Sequence, residues 1–180
     1  MNYKLVDNRI EFTDEKLTEN STNMISVIST YKFTKYMEQM PDGISILRSN
    51  ETRYTKLDVK NKYLQGVISM PRKKDIFNHT RFGYLIFNRN ILFIDSSDTV
   101  INIIEQLRHS SIDMPTIWKF YYHFLNMLID RDLLYLQDIE NSLSTFENNL
   151  LDGGIDEYNQ RDIIYIRKKL FNQYRFYTQL

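Results

Sequence analysis

Carboxylate side chains are the residues of this chain whose number and spacing most suggest chemistry. Between residues 130 and 162 nine acids stand against two bases, Arg131 and Arg161, which gives this stretch a local charge of about −7. Such oxygen ligands attract hydrated divalent cations, and magnesium often keeps much of its water when it binds. The best local cluster of candidate metal ligands is Asp152, Asp156 and Glu157. A solvated helix face explains the same acids, and no spacing specifies a closed site.

Residues for most other kinds of chemistry are missing. The chain contains no cysteine, which excludes disulfides, thiolate zinc sites and thiol nucleophiles and fits a reducing compartment. The histidines, His79, His109 and His123, lack a second ligand at metal-binding spacing. Nucleophile-elbow, Walker and dinucleotide motifs are absent, and five glycines leave few places where backbone could wrap a phosphate. We therefore predict that the protein is not an enzyme and holds no prosthetic group.

The charge balance limits the partners as well. Lys plus Arg and Asp plus Glu both number 23, so nothing draws the whole chain to nucleic acid or anionic lipid. The basic run of residues 72–74 is interpreted as a solvated loop. No window reaches about 18 uninterrupted apolar residues, so no membrane span is predicted within the chain. One aromatic run is interpreted as core or subunit packing: Trp118, Phe120, Tyr121, Tyr122 and Phe124.

The elements that must position the acidic stretch begin with a mixed β-sheet over residues 1–110. A content of 42% hydrophobic and 14% aromatic residues is ample for a folded core. Alternating and buried apolar runs between turn residues predict strands at residues 2–6, 9–12, 24–28, 44–47, 53–59, 63–70, 82–87 and 91–94. Residues 71–80 are predicted to form a polar loop.

Two helices are predicted to flank this sheet. The first runs from Ser29 or Thr30 to about Met40 and stops at residues 41–43. The second is capped by Ser97 or Asp98 and runs to about His109. Its predicted buried face follows the spacing of a helix: Val100, Ile103, Ile104 and Leu107.

The chain changes character at residues 110–115, where two long helical patterns replace the strands. The first predicts a single helix of roughly 55 Å from about Pro115 to a stop at Gly153 and Gly154. Its predicted seam is Leu136, Ile139, Leu143, Phe146 and Leu150, with the spacing of a coiled coil. The second starts near Asp156, and its predicted inner stripe is Ile163, Ile166, Leu170, Tyr174 and Tyr177. The short connection favours an antiparallel hairpin.

The distal end of this predicted hairpin is acidic, and the later part of its second helix is basic. The later part of the second helix carries Arg167, Lys168, Lys169 and Arg175. Its pattern is still helical at Leu180, which favours a longer natural chain. We predict an α/β domain at residues 1–110 and a long helical hairpin at residues 111–180.

The hairpin sequence resembles the CorA family of divalent-cation transporters. The first helix carries Tyr135-Leu136-Gln137-Asp138-Ile139-Glu140 with Leu143, Phe146-Glu147 and Leu150-Leu151, which is similar to that family's Leu-x-x-Ile-Glu and Leu-Glu pattern. The second carries Ile163, Ile166-Arg167-Lys168-Lys169-Leu170 and Tyr174-Arg175, which looks like its Leu-Arg-Arg-x-Leu pattern. The strand hairpin at residues 84–95 is similar too, so the resemblance covers about residues 82–180.

The resemblance implies an α+β fold with α/β/α layers, in which a mixed sheet with flanking helices precedes a long antiparallel hairpin. It implies the metal-sensing cytosolic domain of a homopentameric magnesium or cobalt transporter, at the cytoplasmic face of the cell membrane. The bound ion would be Mg²⁺ or Co²⁺, held between carboxylates of neighbouring subunits, and Glu38 is a further candidate ligand. The family's Gly-Met-Asn pore motif and two membrane helices are missing from this sequence, so the membrane would be reached only through a further C-terminal part.

A different hypothesis follows from the helical stripes alone. A seam at coiled-coil spacing needs a partner, and a stand-alone interaction module would use it to bind another protein. Such a module would form a stable dimer that is indifferent to divalent ions.

Overall fold

The structure is a computed structural model of the chain. It describes residues 1–18, 20–37, 55–73, 75, 78–130, 132–153 and 157–180, with side chains except at 34–37, 150–153 and 157–160. The predicted strand 44–47, the first two residues of the predicted strand 53–59 and the helix stop at residues 41–43 lie outside the described residues.

One mixed sheet organises the first part of the chain, as predicted. Its described strands lie in the order β2-β1-β3-β7-β6-β5-β4. Neighbours are antiparallel except β3 and β7, which run parallel with Ile25 opposite Ile91. The strands are β1 (Asn2–Val6), β2 (Arg9–Phe12), β3 (Met24–Ile28), β4 (Lys56–Val59), β5 (Tyr63–Pro71), β6 (His79–Phe87) and β7 (Asn90–Ile94).

Helices cover both faces of this sheet and extend beyond it. They are α1 (Thr30–Met37), α2 (Thr99–Arg108), α3 (Ile117–Ile129), α4 (Asp132–Gly153) and α5 (Glu157–Tyr177). The predicted fold class, a mixed sheet with flanking helices followed by a helical hairpin, is confirmed. The division into domains at residues 1–110 and 111–180 stays a prediction.

Tight turns join two of the strand pairs because their residues accept left-handed backbone. Asp7 and Asn8, between β1 and β2, have φ of 47° and 65°. Asn88 and Arg89, between β6 and β7, have φ of 44° and 61°. Positive φ at both central residues gives the backbone twist that matches two paired strands. Both predicted hairpins are confirmed.

The main core lies between one face of the sheet and the helices α2 and α3. Its centre is aromatic: the rings of Phe93 and Phe124 are 4.7 Å apart, and those of Phe82 and Phe124 are 5.7 Å apart. Phe120 and Phe124 are fully buried, which confirms core packing for these two members of the aromatic run. Trp118 and Tyr122 of the same run are exposed instead.

A smaller core covers the opposite face of the sheet. It consists of Leu17, Met24, Leu85 and Leu92, and Phe33 of α1 packs against it. Alternate residues of one strand therefore enter different cores, as the period of two along a strand requires. Tyr84 and Leu85 of β6 are an example.

The start of α2 differs from the prediction. Asp98 is the N-cap residue, but it is left-handed, with φ of 59°, and makes no side-chain capping bond. The carboxylate of Asp95 caps the helix instead. It accepts hydrogen bonds from the Ser97 backbone at 2.7 Å, the Ser97 hydroxyl at 2.6 Å and the Val100 backbone at 2.8 Å. The predicted buried face of α2, from Val100 to Leu107, is confirmed.

Two further boundaries were predicted wrongly. Strand β6 starts at His79, within the predicted loop 71–80, because β5 supplies it with partners as far as Pro71. The single helix predicted from Pro115 is two helices, α3 and α4. Thr116 caps α3, its hydroxyl accepting a hydrogen bond from the Lys119 backbone at 3.2 Å, so Pro115 precedes the helix rather than opening it.

Gly66 of β5 tests the packing of this sheet. A Cβ atom there would lie 2.5 Å from the Tyr84 hydroxyl and 2.6 Å from the Lys56 carbonyl oxygen. Because the carbonyl is backbone in the neighbouring strand, we expect Gly66→Ala to lower the free energy of unfolding by about 1–3 kcal/mol. Urea denaturation measures it.

The control for this substitution is Gly83→Ala on β6. There the nearest atom to the new Cβ would be Ile94 Cδ1 at 3.4 Å, an ordinary contact. Its effect should stay below about 1 kcal/mol. Equal losses for the two variants would contradict the close approach at Gly66.

Tyr3 gives a prediction about alkaline pH. Its ring is fully buried, and its hydroxyl donates a hydrogen bond to Glu105 Oε1 at 2.9 Å. Burial, followed by the bond to Glu105, raises the pKa of Tyr3 to about 12. Since an unfolded chain has a tyrosine pKa of about 10, the stability from this group is complete below pH 10 and is lost as pH rises through 12.

We therefore expect Tyr3→Phe to weaken the alkaline fall in unfolding free energy relative to the unchanged chain. Thermal unfolding between pH 9 and pH 12 measures how steeply the unfolding free energy falls with pH, and this slope is compared between the variant and the unchanged chain. Tyr31→Phe is the control because Tyr31 is 90% exposed. An identical slope in the Tyr3 variant and the unchanged chain would refute the argument.

Candidate interaction surface

The two long helices pack against each other as the predicted hairpin. The start of α4 meets the end of α5, because Tyr177 donates a hydrogen bond to Asp132. Within the predicted α4 seam, Ile139 and Phe146 are buried, and Leu136 and Leu143 are half-buried. The side chain of Leu150 lies outside the described residues. The four described members therefore lie on the more buried face of α4, and the coiled coil itself stays a prediction.

The predicted inner stripe of α5 is confirmed at two of its five members and is wrong at three. Ile166 is buried and Tyr177 is half-buried against the main core, whereas Ile163, Leu170 and Tyr174 are exposed. Among the described side chains of α5, the buried ones are Ile166, Gln173 and Phe176. Phe176 enters the main core beneath the sheet, so the helix is rotated to direct this face inward. Apolar spacing alone could not distinguish the two faces, because α5 has apolar residues on both.

The rotation of α5 leaves an apolar surface uncovered. We call it the outer stripe and define it as Ile163, Leu170, Phe171 and Tyr174. Phe171 is 59% exposed and Tyr174 is 68% exposed. Together with Leu143 of α4 and Arg167, the stripe lines an open groove along the hairpin. Apolar side chains that are contiguous and exposed mark interaction surfaces in soluble domains.

A second feature fixes the hairpin to the sheet, and we call it the junction cluster: Lys73, Asp132, Tyr135 and Tyr177. Asp132, the first residue of α4, is only 4% exposed. Its carboxylate contacts the Lys73 ammonium at 2.6 Å and accepts a hydrogen bond from the Tyr177 hydroxyl at 2.7 Å. The interpretation of residues 72–74 as a solvated loop is therefore wrong for Lys73, which is paired.

The junction cluster joins three parts of the chain through polar contacts. The Lys73 ammonium also lies over the Tyr135 ring, 5.5 Å from its centroid. The Tyr135 hydroxyl donates a hydrogen bond to the Lys73 carbonyl oxygen at 3.4 Å. Burial, and then the bond to Asp132, raises the pKa of Tyr177 above its usual range. This tyrosine therefore stays neutral and keeps its donor at physiological pH.

The predicted metal ligands are not brought into a described site. Glu38 and Asp156 lie outside the described residues, and so do the side chains of Asp152 and Glu157. Within the described part of the chain, no group of three or more His, Cys, Asp or Glu side chains is placed to hold a metal ion. The acids that are described on the hairpin are mostly exposed: Asp138, Glu140, Glu147 and Asp162. Metal binding at the hairpin end stays a prediction.

The three histidines occupy separate places. His79 Nδ1 lies 3.3 Å from the Ser69 hydroxyl, and burial lowers the pKa of His79. His109 Nε2 lies 3.7 Å from Glu105 on the surface of α2. Burial and the neighbouring Lys119 lower the pKa of His123 on α3.

None of the described helices has the length and apolar character needed to cross a membrane.

Solved structures with this fold match almost the whole chain. The complete structure of the CorA magnesium transporter from Methanocaldococcus jannaschii is 20% identical, with a TM-score of 0.67, over 95% of this chain and 56% of that one. The full-length CmaX protein is 13% identical, with a TM-score of 0.64, over 97% of this chain and 58% of that one. The chain thus spans a little over half the length of these two proteins.

A separate cytoplasmic domain matches as well. The ZntB cytoplasmic domain from Vibrio parahaemolyticus is 15% identical, with a TM-score of 0.68, over 97% of this chain and 72% of that one. No protein-family model matches the chain, and no curated protein matches its sequence. The resemblance read from the hairpin sequence is thus confirmed at the level of the fold, which is that of the CorA-like soluble domains.

The junction cluster leads to a stability prediction for Asp132→Asn. The asparagine keeps an acceptor for Tyr177 but removes the charge that pairs with Lys73. Because the Lys73 side chain is 37% exposed, water compensates part of the loss. We expect the free energy of unfolding to fall by about 1–3 kcal/mol, as measured by chemical denaturation.

Asp138→Asn is the matched control, since Asp138 is an exposed aspartate of the same helix. Its effect should lie within about 0.5 kcal/mol of zero. If Asp132→Asn is as stable as this control, the junction cluster does not hold the hairpin.

Proposed function

We propose that the chain is the cytoplasmic, self-associating domain of a CorA-like divalent-cation transporter, with no enzymatic activity of its own. The observation that carries the proposal is the match of 95% of the chain to the CorA magnesium transporter of M. jannaschii, at a TM-score of 0.67. A match to the ZntB cytoplasmic domain over 97% of the chain adds support. A domain of this kind lies at the cytoplasmic face of the cell membrane.

The outer stripe is the surface we assign to self-association. Its four apolar side chains lie along about three turns of one helix. Each large side chain gains about 1.5–3 kcal/mol when it is fully removed from water. The flanking Arg167, Lys168 and Lys169 keep the exposed helix hydrophilic enough to remain in solution. A homopentamer is the assembly implied by the sequence resemblance, and it is part of this proposal.

Divalent cations are the second component of the proposed function. The hairpin stretch from residue 130 to residue 162 carries nine acids and two bases. We assign Mg²⁺ or Co²⁺ to this acidic region, with Asp152, Asp156, Glu157 and Glu38 as candidate ligands. An ion shared between subunits would favour the packed assembly, and its loss would shift the population towards a looser one.

A stand-alone protein-interaction module is the alternative, and the same outer stripe favours it. The two functions differ in their response to metal. Association driven only by apolar contact is indifferent to magnesium, whereas carboxylates of neighbouring subunits repel each other until a cation neutralises them.

Cysteine labelling can test the proposal because this chain contains no cysteine. Leu170→Cys places a single thiol in the outer stripe. We expect its reaction with a maleimide to slow by about tenfold when protein concentration is raised, since labelling follows the dissociated fraction. Added magnesium should slow it further. Analytical ultracentrifugation of the same samples reports the size of the assembly.

Leu134→Cys is the matched control, a leucine on α4 that is 65% exposed and outside the stripe. Its labelling should not change. Protection of residue 170 without any response to magnesium would favour the stand-alone module. Labelling of Leu170→Cys that is independent of both concentration and magnesium would refute self-association through this surface.

A further inference from the structure

The two helices of the hairpin carry opposite charge. Helix α4 contains five acids, from Asp132 to Asp152, and no lysine or arginine. Helix α5 contains five bases, from Arg161 to Arg175, and only two acids. Because the helices pack side by side, charge of one sign lies along one side of the hairpin and charge of the other sign along the other.

Two of the acids of α4 lie beside the groove of the outer stripe, and we call Glu140 and Glu147 the acidic edge. Each directly follows a buried residue of α4, Ile139 or Phe146. One residue turns a helix by about 100°, so both carboxylates point sideways from the contact with α5. They lie three residues before and four residues after Leu143, which lines the groove, and they therefore share its side of the hairpin.

Arg167 of α5 provides positive charge on the opposite edge of the same groove. It directly follows the buried Ile166, and it lines the groove together with Leu143. Its neighbour Lys169 lies on the other side of the hairpin, where its ammonium is 4.6 Å from the centroid of the Tyr165 ring. The groove thus has an apolar centre, with carboxylates along one edge and a guanidinium along the other.

These three charges are not matched within the described part of the chain. Glu140, Glu147 and Arg167 are exposed, and none of them makes an ion pair with a described side chain. The α4 helix of a second copy offers what the outer stripe and Arg167 lack. It presents the half-buried Leu136 and Leu143 next to its own acidic edge.

We propose that the outer stripe of each copy packs on α4 of the next copy, so that Arg167 pairs with the acidic edge of its neighbour. An unrelated acidic partner would match Arg167 and leave Glu140 and Glu147 without a base, whereas a copy of this chain matches both edges. Because the two contacting surfaces differ, the contact can repeat from copy to copy and close into a ring. The inference rests on the proposed self-association and names the two surfaces that meet.

Charge reversal on each edge tests this pairing. Arg167→Glu in one chain, and Glu140→Lys with Glu147→Lys in another, are the single-edge variants, which place like charges across the contact. Each should raise the dissociation constant of self-association about tenfold, measured by sedimentation velocity at a fixed magnesium concentration. A chain with all three reversals exchanges the signs of the two edges and should return to within about threefold of the unchanged chain.

Asp138→Lys is the matched control. Asp138 is an exposed acid of α4 that directly precedes the buried Ile139, so it points away from the groove. Its reversal should change the dissociation constant by less than about twofold. Circular dichroism of each variant checks that the fold is intact.

The outcomes separate this inference from the proposed function. If the single-edge variants associate as strongly as the unchanged chain, or if the triple variant is no stronger than they are, the pairing is overturned while self-association stands. An unchanged chain that stays monomeric at every concentration overturns both.

Discussion

The buried carboxylate of Asp132 is the contact on which the arrangement of the second half of the chain depends. A charge that is 4% exposed is costly to bury unless it is paired and hydrogen-bonded. Here Lys73 and Tyr177 meet both requirements, and they come from the β5–β6 loop and from the end of α5. Helices α4 and α5 are therefore secured to the sheet at the same place, where the hairpin is closest to the core. Apolar packing stabilises the contact between the hairpin and the sheet, and the ion pair of Lys73 and Asp132 fixes the position of that contact.

The outer stripe follows from the face of α5 that is turned inward. Phe176 enters the main core, and Gln173 and Ile166 of the same helix are buried as well, so the rotation of α5 is fixed. A helix is stiff over five or six turns, and the orientation of its end therefore sets which residues face outward further along. Leu170 and Tyr174 are left outside for this reason, although they look like core residues in the sequence.

The most accurate predictions from the sequence concern features that depend only on residues close together in the chain. The turns at Asp7-Asn8 and Asn88-Arg89, the strand β3 and the buried face of α2 all depend on residues within a few positions of each other. The errors share a different cause. The pair of Lys73 and Asp132 joins residues far apart in the chain, and a lysine in a basic run carries no local sign of a distant partner. Asp95 caps α2 because it directly follows β7, whose end lies at the start of that helix. The residue spacing around Asp98 could not reveal this contact.

The anchoring of α4 at Asp132 also determines how the hairpin can move relative to the sheet. Helix α4 has 22 residues and is about 33 Å long, and it is anchored at one end by Asp132. A tilt of about 5° at this fulcrum would displace the free end of such a rod by about 3 Å. The hairpin can therefore act as a lever arm. A rearrangement of one ion pair beside the sheet would then become, at the far end of α4, a movement as large as the diameter of a water molecule.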